Sequence, residues 1–155
     1  MMKLHPDRPK LTATLLLLLM LVLSACSLGL NRNAEPTPNP NFGGTALGDI
    51  VTAGAIGGEN EPRDERDTFS TDDPIIYAVA EATRIEPGTA VFARWTRNGE
   101  PFEDSPTITS DQLYEDIYIE FHIEPTGGTA LVPGDYSVQF YVNGNPGPST
   151  DFTVQ

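Results

Sequence analysis

The strict two-residue alternation of residues 114–124 is the feature that most limits what this 155-residue chain can fold into. Ile117, Ile119, Phe121 and Ile123 fall on one side of the alternation, and Tyr118, Glu120, His122 and Glu124 fall on the other. A helix would spread these charges around its circumference, whereas a strand separates the two sets of side chains. The segment therefore predicts a half-buried β-strand with one apolar and one polar face.

Two further segments show the same period and end in turn signals. Residues 90–96 separate Val91, Ala93 and Trp95 from Phe92, Arg94 and Thr96, and residues 136–142 separate Tyr136, Val138, Phe140 and Val142 from Ser137, Gln139 and Tyr141. An Asn-Gly pair follows each segment, and such pairs tolerate the positive φ angles of a type I′ hairpin turn. Because no helical pattern of useful length is found, these short strands and turns indicate an antiparallel sandwich.

The first 25 residues have the plan of a secretory signal peptide. Three basic residues, Lys3, Arg8 and Lys10, precede an apolar run at residues 15–23. Residues 11–31 carry no charge, and a helix of that length would span ~31 Å, so an uncleaved membrane anchor is the alternative. In both interpretations the basic residues stay on the cytoplasmic side and the rest of the chain lies outside.

The sequence Leu23-Ser24-Ala25-Cys26 resembles the lipobox of bacterial lipoproteins, and it follows a basic segment and an apolar block as a lipobox does. The resemblance implies cleavage before Cys26 and a thioether-linked diacylglycerol on that residue. Two or three acyl chains hold a protein stably at a membrane, whereas one chain holds it weakly. Cys26 is also the only cysteine in the chain, so no disulfide is expected despite an oxidising destination.

The part of the chain that remains after this cleavage is strongly acidic. It contains six arginines and 21 carboxylates, a net charge of −15. Such a chain repels nucleic acid and anionic headgroups, so the lipid is the expected link to the membrane and no nucleic-acid partner is expected. Solubility at the cell surface is one interpretation of this charge, and binding of divalent cations is the other.

Composition divides the chain into four parts. Residues 1–25 are the signal peptide, and residues 26–48 form a disordered linker rich in proline, asparagine and glycine. Residues 49–73 predict a short edge strand and an acidic loop, and residues 74–155 predict the sandwich domain. The loop lacks the ordered spacing of a helix-loop-helix calcium site, so we expect it to be solvated, with calcium binding as the alternative.

The carboxy-terminal part resembles the immunoglobulin-like and fibronectin type III-like domains of bacterial surface lipoproteins. Trp95, on a strand before a hairpin, and residues 131–144, "LVPGDYSVQFYVNG", carry the resemblance. It implies an antiparallel sandwich of about seven strands, with Trp95 in the core and Tyr136 in a tyrosine corner.

A binding surface follows if the strands of Trp95 and Tyr136 are neighbours in one sheet. The outward face would then present Phe92 and Arg94 beside Gln139 and Tyr141. Aromatic residues with arginine are typical of protein-binding patches. An envelope or surface protein is the partner that we expect for such a patch, and the sequence leaves the oligomeric state open.

The residues that catalysis needs are sparse in the chain beyond Cys26. His122 is the single histidine there, and no serine lies in a G-x-S-x-G elbow. Glu120 and His122 are the weak candidates for a metal site, and a second strand would have to supply more ligands. We therefore expect no cofactor and a non-catalytic module with an adhesive, accessory or structural role in the envelope. A small hydrolase or a metal-dependent module using His122 and surface carboxylates is the alternative.

Overall fold

A computed structural model describes residues 39–125 and 130–155 of the chain. This part is all-β, with two 3₁₀ helices of three residues each, Pro40–Phe42 and Gly58–Asn60. Within it, no helix has the length and apolar character that a membrane crossing requires. The predictions of a signal peptide, of a lipidated Cys26 and of a linker as far as residue 38 fall outside the described residues.

Two sheets form a β-sandwich. In chain order the strands of the described part are β1 (Ala46–Ile56), β2 (Pro62–Glu65), β3 (Thr68–Phe69), β4 (Ile76–Ile85), β5 (Ala90–Arg97), β6 (Glu100–Asp104), β7 (Ile108–Thr109), β8 (Tyr114–Ile123), β9 (Gly134–Val142) and β10 (Asn145–Val154). One sheet has the order β2-β1-β4-β8, and the other has the order β3-β10-β9-β5-β6 with β7 also paired to β5. Every pairing is antiparallel except the parallel contact of β3 with β10. The predicted all-β sandwich is thereby confirmed.

Aromatic side chains fill much of the space between the sheets. Trp95 and Phe140 are fully buried, and the rings of Trp95 and Phe152 meet edge to face with centroids 6.1 Å apart. Phe121 of the first sheet meets Phe140 of the second in the same way at 5.0 Å. This arrangement places the positive edge of one ring against the negative face of the other. The Phe121–Phe140 contact thus links the two sheets, while the Trp95–Phe152 contact lies within the second sheet.

The alternation of the long strands matches their burial. Ile119, Phe121 and Ile123 of β8 are buried, while His122 is exposed. On β5 and β9 the predicted inward residues are likewise buried, from Val91 to Trp95 and from Tyr136 to Val142. The period of the sequence therefore predicted correctly which side of each of these strands faces the core.

Both predicted Asn-Gly turns connect neighbouring strands. Asn98 and Gly99 have φ angles of 51° and 82°, and Asn143 and Gly144 have φ angles of 51° and 78°. Positive φ at both central residues is what a type I′ turn requires. The two hairpins β5–β6 and β9–β10 are therefore fixed by local backbone preferences.

The region before residue 74 differs from the linker and short edge strand expected there. Strand β1 starts at Ala46, inside the expected linker, and it has a neighbour on each side, β2 and β4. Small residues explain the difference, because Ala46 and Ala53 are fully buried without a large side chain.

The acidic stretch is also more structured than the expected solvated loop. It contains β2 and β3, and Arg66 binds the carboxylates of Asp64 and Asp73, the latter at 2.9 Å. The Arg66 guanidinium also lies 4.7 Å from the centroid of the Phe69 ring, which is buried in the core. Ion pairing with Arg66 thus allows the acidic stretch to pack against the sandwich.

The described residues all belong to one compact unit, Glu35–Gln155. Their strand pairings lie between Ala46 and Val154, and their buried apolar residues lie between Phe42 and Val154. The hydroxyl groups of Thr45 and Thr89 form a 2.9 Å hydrogen bond. This bond connects the start of the unit to the turn after β4. A fragment spanning Glu35–Gln155 therefore contains all of the described strand pairings and buried apolar residues.

Candidate functional site

The candidate site lies on the outward face of β5 and β9, the neighbouring central strands of the larger sheet. Phe92 pairs with Tyr141, and Arg94 pairs with Gln139, in the antiparallel register of the two strands. Because side chains alternate along a strand, all four point away from the core, whereas Trp95 and Phe140 point into it. The structure thus brings together the four residues that the sequence predicted as a binding surface.

Two of these residues form a stacked aromatic pair. The ring centroids of Phe92 and Tyr141 lie 4.8 Å apart and the ring planes are 10° from parallel. Both side chains are half-buried, so each ring restricts the rotamers of the other while part of its surface remains open to solvent. The pair is therefore a rigid apolar surface on an otherwise polar sheet face.

Arg94 lies beside this aromatic pair. Its guanidinium carbon is 5.2 Å from the Tyr141 ring centroid and 5.9 Å from that of Phe92. A cation within ~6 Å of a ring centroid is attracted by the electrons of the ring face. The arginine and the two rings form one continuous surface, which we call the aromatic patch, comprising Phe92, Arg94, Gln139 and Tyr141.

A carboxylate on the next strand fixes the orientation of Arg94. The Nε and Nη2 atoms of Arg94 donate to the two oxygens of Asp104 at 2.7 and 2.6 Å. This hydrogen bond, and then the charge of Asp104, raise the pKa of Arg94 above its ordinary value. The same hydrogen bond is the main cause that lowers the pKa of Asp104, although burial opposes it. The pair stays ionised at neutral pH and holds the guanidinium in one plane.

The sequence did not identify Asp104 as part of the site, and a β-bulge explains why. If β5 and β6 paired residue by residue away from the Asn98-Gly99 turn, without a bulge, Glu103 would lie opposite Arg94. The register shifts between Thr96 and Trp95, so that Trp95 pairs with Glu103 and Arg94 pairs with Asp104. The inserted residue is Phe102, which is 45% exposed. Pro101, which cannot donate to a ladder, was the available signal of this irregularity.

Gln139 is held by a neighbour on the other side of the patch. Its Nε2 atom donates to the carbonyl oxygen of Gly147 on β10 at 3.3 Å. Gln139 is half-buried and lies opposite Arg94 in the register of β5 and β9. The patch therefore offers hydrogen-bonding groups as well as ring surface.

The two predicted core residues lie beneath this face. Trp95 is fully buried, and its indole Nε1 has no hydrogen-bond partner within the described part of the chain. The Tyr136 hydroxyl donates to the carbonyl oxygen of Val132, four residues earlier, at 2.6 Å. Both residues contribute to packing, and neither reaches the surface of the patch.

The weak metal candidates lie on the other sheet. His122 Nδ1 is 3.2 Å from both carboxylate oxygens of Glu120, and the His122 ring meets Tyr77 edge to face at 5.6 Å. Among residues 39–125 and 130–155, no three histidine, cysteine or acidic side chains are grouped as metal ligands. The structure therefore pairs Glu120 with His122 and does not bring a third ligand to them.

Comparisons with known proteins give little further information. No family model matches the chain, and no curated protein matches it. Among solved structures, the β-glucosidase EmGH1 of Erythrobacter marinus has a TM-score of 0.41 at 12% identity, with 72% of this chain and 15% of that chain covered. The alkylpurine DNA glycosylase AlkC of Pseudomonas fluorescens has a TM-score of 0.35 at 14% identity, with 70% and 31% covered. The chain thus spans under a third of either protein, and at these scores neither similarity supports an argument about function.

Proposed function

We propose that this protein is a lipid-anchored envelope protein whose sandwich is a non-catalytic, immunoglobulin-like binding module. In this proposal Cys26 carries the lipid, the chain beyond it lies outside the cytoplasm, and the aromatic patch contacts another envelope or surface protein. The fold itself is not the argument for binding, because sandwiches of this kind serve many functions.

The strand order supports an immunoglobulin-like arrangement. If β1, β4 and β8 are strands A, B and E, they form one sheet, as strands A, B and E do in that superfold. Strands β5, β9 and β10 then correspond to C, F and G, and they are neighbours in the other sheet. The hydrogen bond from Tyr136 to the backbone of Val132 has the form of a tyrosine corner at the start of strand F.

The observation that carries the functional proposal is the fixed orientation of Arg94. Asp104 holds the guanidinium by two hydrogen bonds, and the stacked rings of Phe92 and Tyr141 lie beside it. Binding loses less conformational entropy when contact side chains are already held in place. Aromatic residues and arginine are also the residue types enriched at binding hot spots.

The experiment that tests the patch is a pull-down from solubilised envelopes with the Glu35–Gln155 fragment. A Phe92→Ala/Tyr141→Ala double variant removes the ring surface. Tyr77→Ala is the matched control, since Tyr77 is also a half-buried aromatic residue on a strand but lies in the other sheet. We expect wild type and the control to retain the same partner protein, and the double variant to lose it.

A partner that is retained equally by all three fragments would overturn the assignment of the patch, provided that each fragment still melts cooperatively. Absence of any envelope partner for wild type would overturn the binding function itself.

The anchor is tested separately on the full-length chain. We expect intact mass spectrometry of the membrane fraction to give a chain that begins at Cys26 and carries diacylglycerol. Cys26→Ser should keep its first 25 residues and lack the lipid. A wild-type chain with an intact amino terminus and an unmodified thiol would contradict the lipid anchor and favour the uncleaved membrane helix.

A further inference from the structure

A cavity of about 300 Å³ opens between the two sheets along the edge formed by β8. Apolar side chains from both sheets line it, including Ile85, Val91, Ile117 and Ile119. Ile108 of β7 lies on its wall with 47% of its surface exposed. The volume is at the lower end of the ~300–1,000 Å³ found for ligand sites. This cavity is on a different side of the domain from the aromatic patch.

The edge beside this cavity is unpaired. Strand β8 ends the order of its sheet, and no other described strand pairs with its far side. With ten residues, it is longer than the edge strands β2, β3 and β6, which have four, two and five. An antiparallel strand turns about half of its backbone N–H and C=O groups toward each side, so the far side of β8 carries a row of donors and acceptors that no other described strand uses. The 3₁₀ helix Gly58–Asn60 packs against β8, and Asn60 lines the cavity beside it.

Proline protects the other long open edge of the sandwich, whereas residues 117–123 of β8 contain no proline. The part of β10 beyond its short contact with β3 contains Pro146 and Pro148, which cannot donate to an added strand. Within β8, Asp116 has a φ of 52°, so the backbone is irregular near the start of the strand. Residues 117–123 pair with β4 in regular register, and residues 117–120 line the cavity.

The negative charge of this edge favours a partner segment with basic side chains. Glu115, Asp116 and Glu120 lie on β8 and Glu124 follows it, while the segment contains no lysine or arginine. Arg84 of β4 binds Glu115 at 3.2 Å, so Asp116, Glu120 and Glu124 carry the charge that is left for a partner. A second copy that added its own β8 in antiparallel fashion would place like charges opposite one another, which is destabilising. An extended segment that alternates apolar and basic residues would instead insert its apolar side chains into the cavity and place its basic side chains near these carboxylates.

We propose that the β8 edge is a docking site for a cationic, extended peptide segment of a partner protein, which adds to the sheet as a further strand. The backbone ladder along residues 117–123 supplies affinity, and the cavity walled by Ile108 supplies selectivity for apolar side chains at every second position. This second surface does not depend on the function of the aromatic patch.

The test uses the full-length chain in detergent micelles and three fluorescein-labelled seven-residue peptides. The first peptide alternates lysine with valine, and the second alternates glutamate with valine. The third is the lysine–valine peptide with its central valine replaced by proline, so its charge is unchanged. Fluorescence anisotropy measures the affinity, with empty micelles as background. We expect the lysine–valine peptide to bind at least about tenfold more tightly than either of the others.

Hydrogen exchange measured by mass spectrometry locates the site. The lysine–valine peptide should slow exchange in residues 117–123 and leave β6 unchanged. Ile108→Ser should weaken binding about tenfold. Val132→Ser is the matched control, since Val132 is 50% exposed and does not line the cavity, and it should bind as wild type does.

Three results would overturn the proposal. Equal binding of the proline peptide would show attraction by charge alone, without an added strand. Slowed exchange in a strand other than β8 would place the site elsewhere, and slowed exchange in residues 117–123 without any peptide, rising with protein concentration, would identify a second copy as the occupant. None of these results bears on the aromatic patch, which Phe92→Ala/Tyr141→Ala tests independently.

Discussion

Phe92 and Tyr141 lie opposite each other on neighbouring strands, and their rings stack with centroids 4.8 Å apart. The contact is a cross-strand pair on the outward face, where it adds little to the core. Its consequence is that each ring limits the motion of the other and that Arg94 lies against both. The arrangement therefore links the register of the sheet to the shape of its exposed surface.

This pair should be coupled in stability. Phe92→Ala and Tyr141→Ala are expected to interact by about 0.5–1 kcal/mol in a double-mutant cycle, because each single change already removes the stacked contact. Urea unfolding of the Glu35–Gln155 fragment, followed by Trp95 fluorescence, measures the free energies. Additive losses from the two single variants would contradict the contact.

The core depends heavily on Trp95. Trp95→Ala is expected to destabilise the domain by about 3–5 kcal/mol, because it leaves a large cavity between the sheets. Trp95→Phe should cost clearly less, since it keeps much of the ring and removes an indole N–H that has no partner within the described residues. Thermal melting, followed by far-ultraviolet circular dichroism, shows which of the two variants loses more stability. Equal losses from the two variants would contradict the dependence of the core on an aromatic ring at this position.

The hydroxyl of Tyr136 stabilises the approach to β9. Tyr136→Phe should lower the free energy of unfolding by about 1 kcal/mol, because the carbonyl oxygen of Val132 loses a 2.6 Å hydrogen bond. Tyr118→Phe on the edge strand β8 is the matched control and should change stability by less than about 0.5 kcal/mol. Urea titration compares both with wild type, and an equal effect of the two changes would argue against this bond.

The bond between Arg94 and Asp104 predicts a specific acid sensitivity. The pKa of Asp104 is lowered in the folded state, so its stabilising effect is present above its unfolded pKa of ~3.9 and is lost as the pH falls through the lowered value. Asp104→Asn should therefore melt below wild type at pH 7, and the difference in Tm should shrink as the pH falls below the unfolded pKa and through the lowered folded value. The expected difference is small because both side chains are partly exposed. A difference in Tm that does not depend on pH would contradict ionic pairing.

Much of the fold could be predicted from the sequence because the long strands keep a period of two. Strand β8 and the inward face of β5 follow directly from alternating side chains, and the hairpins follow from Asn-Gly pairs. Strand β1 could not be predicted in this way. Its alanines and glycines give almost no hydrophobic pattern, although Ala46 and Ala53 are fully buried.

The site was predictable only in part. The pairing of β5 with β9 placed Phe92, Arg94, Gln139 and Tyr141 together as expected from their outward positions. Asp104 could not be predicted as the partner of Arg94, because one inserted residue in β6 changes which carboxylate lies opposite Arg94. A bulge depends on tertiary packing of the strand, and single-sequence patterns do not determine its position.

Site-specific photo-crosslinking in intact cells tests most directly whether the aromatic patch is the contact surface of this protein. Benzoylphenylalanine introduced in place of Gln139, within the patch and opposite Arg94, should crosslink to one defined envelope protein after irradiation. The same probe in place of Tyr77, on the other sheet, should not capture that protein. Crosslinking of that protein at position 77 and none at position 139 would contradict the account.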